Sequence, residues 1–580
     1  MALAGETHNS RWPVFFAVLF ALIAAVRIVS TYSQTAQAFD EICHVAAAIE
    51  LLDHHTYTLD PVHPPLSRIA IGLPLYLAGE RYPHLPPLDH DITYNDVGNA
   101  VLYDSGHYLR NLELARLGVL PFFLLATAIV FLWARREYGD LAAVMAAALF
   151  TTLPNILAFS SIAYTDIVAA STQAALFFAF VLWLDKPTKR TVLWFGLAAG
   201  LALASKATTL IFFPAAVVAI LLGKWICTRT VVGENASPRL IVRHVAIVLA
   251  LASLIVWATY GFAVQHVRVG MNLSAESMPS FQHFPAPLAR AARWLITTNP
   301  LMPAPAVVKG AANAWVLNKS RPTAYLLGRT KPGGWWYFFL VGVAVKAPLP
   351  LLVLAFLGVL SLRTFEPRRR WRALAPGLAA LGVLVITMPV SYNAGVRHVL
   401  AVFPLLAIVA GQGSAYLWNM QGGRGWLPRV ALLALLCWQG VSTVRASSDS
   451  IAYFNELAGS DPSRVLVAGC DLDCGQDFFR LSRELQSRHV DHVTVALWSS
   501  ADPAQIHLPD FKVPQAGRPV TGWFAISLRG LRLGNSFHMT YPAGTFDWLK
   551  AYQPTARIGK TILLYYIPDD GRPHVGPTPQ

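Results

Sequence analysis

Charge is scarce in this chain. Of 580 residues, 13% are Asp, Glu, Lys or Arg, against roughly 25% in ordinary soluble domains. With 46 basic and 32 acidic side chains, a soluble protein of this length has no even charged shell. A disordered chain is excluded as well, because hydrophobic residues reach 55%. Cysteine is rarer still. Five cysteines and no Gly-X-Y period rule out a disulfide scaffold and a collagen-like fibre. There is no Walker-type loop, no Gly-x-Ser-x-Gly elbow and no His-Glu-x-x-His helix. His44, His54, His55 and His63 fit no zinc spacing. No repeat of roughly 20–50 residues is present.

Long apolar runs are what the sequence has instead. A spanning helix needs about 20 mostly apolar residues. Such runs lie at roughly 13–33, 114–134, 140–158, 161–184, 191–206, 207–223, 244–263, 335–360, 373–390, 398–418 and 426–442. They predict a polytopic α-helical membrane protein with about 11 transmembrane helices. Arg27 interrupts the first run and no clean cleavage motif follows, so it reads as an anchor rather than a signal peptide. With the N-terminus in the cytoplasm, the connections on that side carry Arg135–Arg136, Lys186/Lys189–Arg190, Lys224/Arg229/Arg239/Arg243, Arg363/Arg368–Arg369–Arg370/Arg372 and Arg424/Arg429. Cytoplasmic loops gather cations in this way. The net charge of +14 is then topogenic, and no nucleic-acid partner is expected. Two long external loops, about 34–113 and 264–334, belong to a membrane module over 1–442. The more polar segment 443–580 reads as a small extracytoplasmic α/β domain. Its expected strands are Arg464–Ala468, His492–Leu497, Trp523–Leu528 and Thr561–Ile567, with a helix at Gln476–Gln486. The Pro/Gly-rich last ten residues read as disordered.

Chemistry is expected on the outer side. Asp40 and Glu41 follow the first helix. Adjacent carboxylates there either solvate a helix start or act as a base or metal ligand facing a cavity. His63 sits on the rigid corner Asp60-Pro61-Val62-His63-Pro64-Pro65. Asp166 lies early in the fourth helix and Lys206 between two short helices, both placed at the outer edge. Asp166 could equally make an interhelical hydrogen bond, and Lys206 could snorkel. Lys346 lies deep in an apolar run before Pro348 and Pro350, where a cation needs a polar partner. Arg397 and His398 form an external turn suited to clamping phosphate. Carboxylates and cations on one face are the inventory for moving a group from a lipid phosphate to a hydroxyl. Cys470 and Cys474 could pair if a turn brings their Cα atoms within about 7 Å.

The order of these motifs resembles the GT-C superfamily, nearest to bacterial relatives of the protein O-mannosyltransferases and the lipid A aminoarabinose transferases (glycosyltransferase family 39-like). The matching pieces are Asp40-Glu41, His63-Pro64-Pro65-Leu66, Thr165-Asp166, Lys206, Tyr325-Leu326-Leu327-Gly328 with Gly334-Trp335-Trp336, Lys346-Ala347-Pro348-Leu349-Pro350 and Gly395-Val396-Arg397-His398. Tyr453-Phe454-Asn455-Glu456 and Asp471-Leu472-Asp473-Cys474-Gly475-Gln476-Asp477 add to them. Cys474 departs from the pattern, since similar proteins commonly carry Trp there. The resemblance implies inverting transfer of a sugar from a polyprenyl-phosphate donor to a lipid, glycan or protein hydroxyl, outside a bacterial inner membrane. Asp40 would be the catalytic carboxylate with Glu41 beside it, and Asp166 a second acid. Lys346 and Arg397 would contact the donor phosphate, and His63 would shape the wall. Lys206 and His398 are counted with the substrate-binding groups. A divalent metal is left open.

Two other readings compete. A flippase for lipid-linked sugars would use Asp166 and Lys346 as gate charges and should show paired broken helices. The sequence shows one Pro-interrupted helix, at Lys346–Pro350. A scaffold protein would leave the edge charges without a use.

Overall fold

A computed structural model describes residues 11–569, except 88, 231–236, 272–283, 421–425, 448, 504, 516–517, 519, 537–538 and 543. Arg424 and the last ten residues therefore lie outside the described part.

The protein is a polytopic helical membrane protein. Among the described residues, seven helices are long and apolar enough to cross a membrane, and up to nine if each of two bent pairs is one span. The seven are Trp12–Val29, Tyr108–Tyr138, Thr165–Asp185, Thr209–Thr228, Pro238–Thr259, Pro367–Thr387 and Trp426–Arg445. The bent pairs are Asp140–Thr151 with Pro154–Ser160, at 61°, and Phe338–Lys346 with Leu349–Thr364, at 109°. The other two of the eleven expected runs fall on the helices Lys189–Ser205 and Val402–Asn419. The first is ended by Lys206, and the second carries Gln412 and Ser414 inward.

Pro350 and Pro154 both sit just past a break, within the first two positions of the following helix, where the missing N–H costs nothing. The break at Thr152-Leu153-Pro154 is a second one, beside the single Pro-interrupted helix expected at Lys346–Pro350.

Packing separates the helices into an inner and an outer set. Thr165–Asp185 is buried over most of its length, whereas Trp12–Val29, Pro238–Thr259 and Trp426–Arg445 are mostly exposed. Their exposed side chains are large and apolar, including Phe15, Val26, Leu249 and Val444, as lipid-facing walls require. Leu349–Ser361 crosses Val402–Asn419 through glycines. A Cβ at Gly358 would collide with the Val409 carbonyl, and one at Gly413 with that of Leu354. Small residues permit this close backbone approach.

Residues after 443 build a five-stranded sheet in the order Ala556–Ile558, Ile562–Ile567, Gly522–Ser527, His492–Ala496, Asp510–Lys512. The first three strands are antiparallel and the last two joints are parallel. Helix Phe478–Ser487 packs on it through Phe478, Leu481 and Leu485. Three of the four expected strands are here. The fourth, at Leu466–Val467, pairs instead with Thr323–Leu326 from the second long loop. The polar tail is thereby stitched onto the loop.

One end of the helical bundle holds the basic connections. Asp185 accepts from Arg136 at 2.7 Å and from Arg372 at 2.9 Å. Asp166 lies at the other end of the same helix, about 28 Å away at a rise of about 1.5 Å per residue. The candidate site and the basic connections are at opposite ends of the bundle.

Candidate functional site

Asp40 precedes the helix Glu41–Ile49 at its N-cap position, but its side chain makes no capping bond. The carboxylate is free for another partner. Arg397 Nη1 donates to Asp40 Oδ2 at 2.6 Å and lies 4.0 Å from Asp166 Oδ2. Lys206 Nζ donates to Asp166 Oδ1 at 2.5 Å. Four of the expected residues therefore form one alternating chain, Asp40–Arg397–Asp166–Lys206, drawn from four separate regions of sequence. Gly395 makes the turn before Arg397 at φ 100°, a value that favours glycine. Asp471 fixes the same turn by accepting the Val396 N–H at 2.9 Å. Burial would lower the Arg397 pKa, but Asp40 and Asp166 overcome it and raise the guanidinium above its ordinary value.

His63 and His398 border this chain. Burial, then the Arg68 and Lys206 charges, push His63 down to about 3, so its ring is neutral. His398 is lowered for the same leading reason, with Lys206 and Arg397 adding to it. Its Nε2 is buried without a hydrogen-bond partner among the described residues.

Two expected site residues lie elsewhere. The Glu41 side chain is 0% exposed and takes both Arg116 Nε and Nη2 at 2.8 Å. It also accepts the N–H groups of Ala163 and Ala38. With its oxygens so engaged, it faces the protein interior rather than the Asp40 cavity. Lys346 is also fully buried. Its Nζ donates to the carbonyls of Ile451 at 2.9 Å and Asp471 at 2.5 Å, beneath the Phe454 ring. It supports the loop that holds Arg397 and does not line the cavity.

That cavity, about 240 Å³, opens outward from Asp40 and Arg397. Its other walls include Tyr392, Trp498 and Arg529, which the sequence reading did not single out. Tyr164 was missed too. Its hydroxyl accepts the Asp40 N–H at 2.8 Å, and its ring lies under the Arg397 guanidinium. Tyr164 stood two residues before Asp166, which was the available signal. Trp498 and Arg529 had none, since only the fold brings them near residue 40.

Cys470 and Cys474 form a disulfide with Cα atoms 4.7 Å apart. The loop it closes sits directly on the site. Phe39 N–H donates to the Cys474 carbonyl at 3.0 Å, and Tyr164 Oη lies 3.2 Å from each sulfur. Alkylation of the unfolded, unreduced protein should modify three thiols, Cys43, Cys227 and Cys437. Reduction should add two. Replacing both bonded cysteines by Ala should cost about 2 kcal/mol in unfolding free energy, at the low end for so short a loop. Five reactive thiols without reductant would remove the cross-link.

Among the described residues, no group of three or more His, Cys, Asp or Glu side chains is placed to hold a metal ion.

A bundle of seven to nine candidate spans among the described residues, with charged groups gathered at one end beneath a sheet-containing tail, defines a polytopic membrane protein whose candidate site lies at that end. Residues 110–260 match the family described as dolichyl-phosphate-mannose-protein mannosyltransferase. The matched stretch includes Asp166 and Lys206 but neither Asp40 nor Arg397. Among solved structures, the chain is similar to ArnT from Cupriavidus metallidurans bound to undecaprenyl phosphate, at 14% identity, covering 95% of this chain and 98% of that one, with a TM-score of 0.46. It is also similar to the oligosaccharyltransferase AglB from Archaeoglobus fulgidus in complex with an inhibitory peptide and a dolichol-phosphate, at 11% identity, covering 90% and 70%, with a TM-score of 0.49. The S. cerevisiae Pmt1–Pmt2 complex bound to its sugar donor matches over 48% of this chain and 37% of that one, at 17% identity and a TM-score of 0.32. No curated protein matches the chain.

Proposed function

We propose that this protein transfers a sugar from a polyprenyl-phosphate donor to an acceptor hydroxyl on the outer face of a bacterial inner membrane, with inversion. The observation that carries the reading is the Asp40 carboxylate, ion-paired to Arg397 and lining an open cavity. Asp40 Oδ1 makes no hydrogen bond to a described residue. It takes the acceptor proton as the acceptor oxygen attacks the anomeric carbon. The bond from that carbon to the phosphate oxygen breaks, and the polyprenyl phosphate leaves with the electron pair. Arg397 and Lys206 stabilise the charge that develops on it. His63 and His398, being neutral, shape the wall and add no competing charge.

A second cavity suits the lipid. An apolar groove of about 370 Å³ is lined by Val62, Pro64, Leu203, Ala207, Ser253 and Trp257, among others. Two of its lining residues, Pro64 and Ala207, are the chain neighbours of His63 and Lys206, and on this reading the lipid phosphate sits beside them. Filling it with Ser253→Trp should raise KM for an undecaprenyl-phosphate sugar about tenfold, a cost of about 1.4 kcal/mol. A short-chain prenyl donor should be little affected. Equal effects on both donors would remove the groove from lipid binding.

The test is incubation of the purified chain with defined polyprenyl-phosphate sugars and candidate acceptors, reading released polyprenyl phosphate and acceptor mass. The second broken span is the observation that favours a carrier of lipid-linked sugar. A carrier would move its substrate across a liposome membrane unmodified and release no polyprenyl phosphate.

A further inference from the structure

The cavity outside Asp40 has more positive charge than the transfer step uses. Its lining includes two guanidiniums, Arg397 and Arg529, and one carboxylate, Asp40. Arg397 is paired with Asp40. Arg529 has no carboxylate within ion-pair distance among the described residues. Its Nη1 donates to the Gly469 carbonyl at 2.8 Å, its guanidinium lies 4.2 Å from the Trp498 ring centre, and its Nε is buried without a partner. Burial lowers its pKa from the ordinary arginine value, with Asp473 opposing. Half-buried on the cavity wall, the guanidinium has donors left over that a ligand in the cavity could take. Trp498 stacks flat on Phe39, with centroids 3.9 Å apart and planes at 11°. The residue next to Asp40 and the tail together thus form one wall.

We infer that this cavity is the acceptor subsite, and that it selects an acceptor whose reacting hydroxyl lies beside an anionic group, phosphate or carboxylate, held by Arg529. The acceptor assignment rests on the transfer reading above. On the transfer reading the donor phosphate lies between Arg397 and Lys206, and Ala207, next in sequence to Lys206, lines the apolar groove. Groove and outer cavity share no lining residue. The anion recognised by Arg529 therefore belongs to the other substrate. Arginine suits the task, because its fork binds two oxygens of either group in parallel.

The test uses the full chain in nanodiscs, titrated with glucose, glucuronate, glucose 6-phosphate and inorganic phosphate. Wild type should bind the anionic probes about tenfold or more tighter than glucose. Arg529→Gln should erase most of that preference, and Arg529→Lys should keep part of it. Undecaprenyl phosphate should bind wild type and Arg529→Gln alike. Absence of any preference in the wild type overturns the subsite. So does an Arg529→Gln variant that loses undecaprenyl phosphate affinity by the same factor, since Arg529 would then hold the donor. If the preference holds while no polyprenyl-phosphate sugar is ever turned over, the transfer reading and the acceptor assignment fall together and an anion site remains. Turnover without the preference removes the subsite and leaves the transfer reading standing.

Discussion

Asp40→Asn should reduce the turnover number for sugar transfer by about a thousandfold, within the range for loss of a general base. The substitution keeps the size of the side chain and removes its ability to take a proton. Arg397 loses its closest partner, but Asp166 remains 4.0 Å away, so the cation is not left alone. The fold should persist, and Asp40 is partly exposed, at 28% of its side-chain surface. Binding of the polyprenyl-phosphate donor should change little or tighten, because a negative charge near the phosphate is gone. The split is the diagnostic: kcat falls while donor affinity stays. It is measured by pre-steady-state turnover alongside titration with undecaprenyl phosphate. An Asp40→Asn protein that transfers sugar at near-normal rate would assign the base elsewhere.

The membrane architecture is legible in the sequence because it rests on length and composition alone. All eleven apolar runs fall on helices or bent pairs. The break near Thr152 was not legible, since Pro154 interrupts an otherwise continuous apolar run and the 61° bend is a tertiary result. Four residues of the proposed site could be named because charge in an apolar context is conspicuous: Asp40, Asp166, Lys206 and Arg397. Charge alone could not separate groups that line the cavity from groups that brace the fold. Glu41 adjoins Asp40 in sequence, yet the start of a helix turns the two carboxylates apart, one to a cavity and one to Arg116. Lys346 looked like a phosphate ligand, but its ammonium is engaged by two backbone carbonyls. Trp498 and Arg529 sit in ordinary polar sequence, and only the packing of the tail onto the first loop gives them a place.

The division between Asp40 and Glu41 has its own test. Arg116 and Glu41 are both fully buried, and their bidentate bond is one part of a larger knot. Arg116 also donates to the carbonyls of Tyr32, Thr35 and Ala36, while Glu41 accepts from Ala38 and Ala163. The knot ties the end of the first span to the start of the second and to the turn just before Asp166. Arg116→Met should therefore lower stability by about 3–5 kcal/mol, because it strands a buried carboxylate. Glu41→Gln should also destabilise, because it leaves the Arg116 cation buried without its carboxylate and turns an amide N–H2 toward backbone donors. Combining the two should cost less than the sum, as no charge is then left buried alone. Per folded molecule, Glu41→Gln should transfer sugar within about tenfold of wild type, whereas Asp40→Asn should be stable and nearly inactive. Thermal unfolding in nanodiscs and specific activity of the folded fraction separate these effects. A Glu41→Gln protein with unchanged unfolding and lost turnover would return Glu41 to the chemistry and reverse the assignment made from its buried bonds.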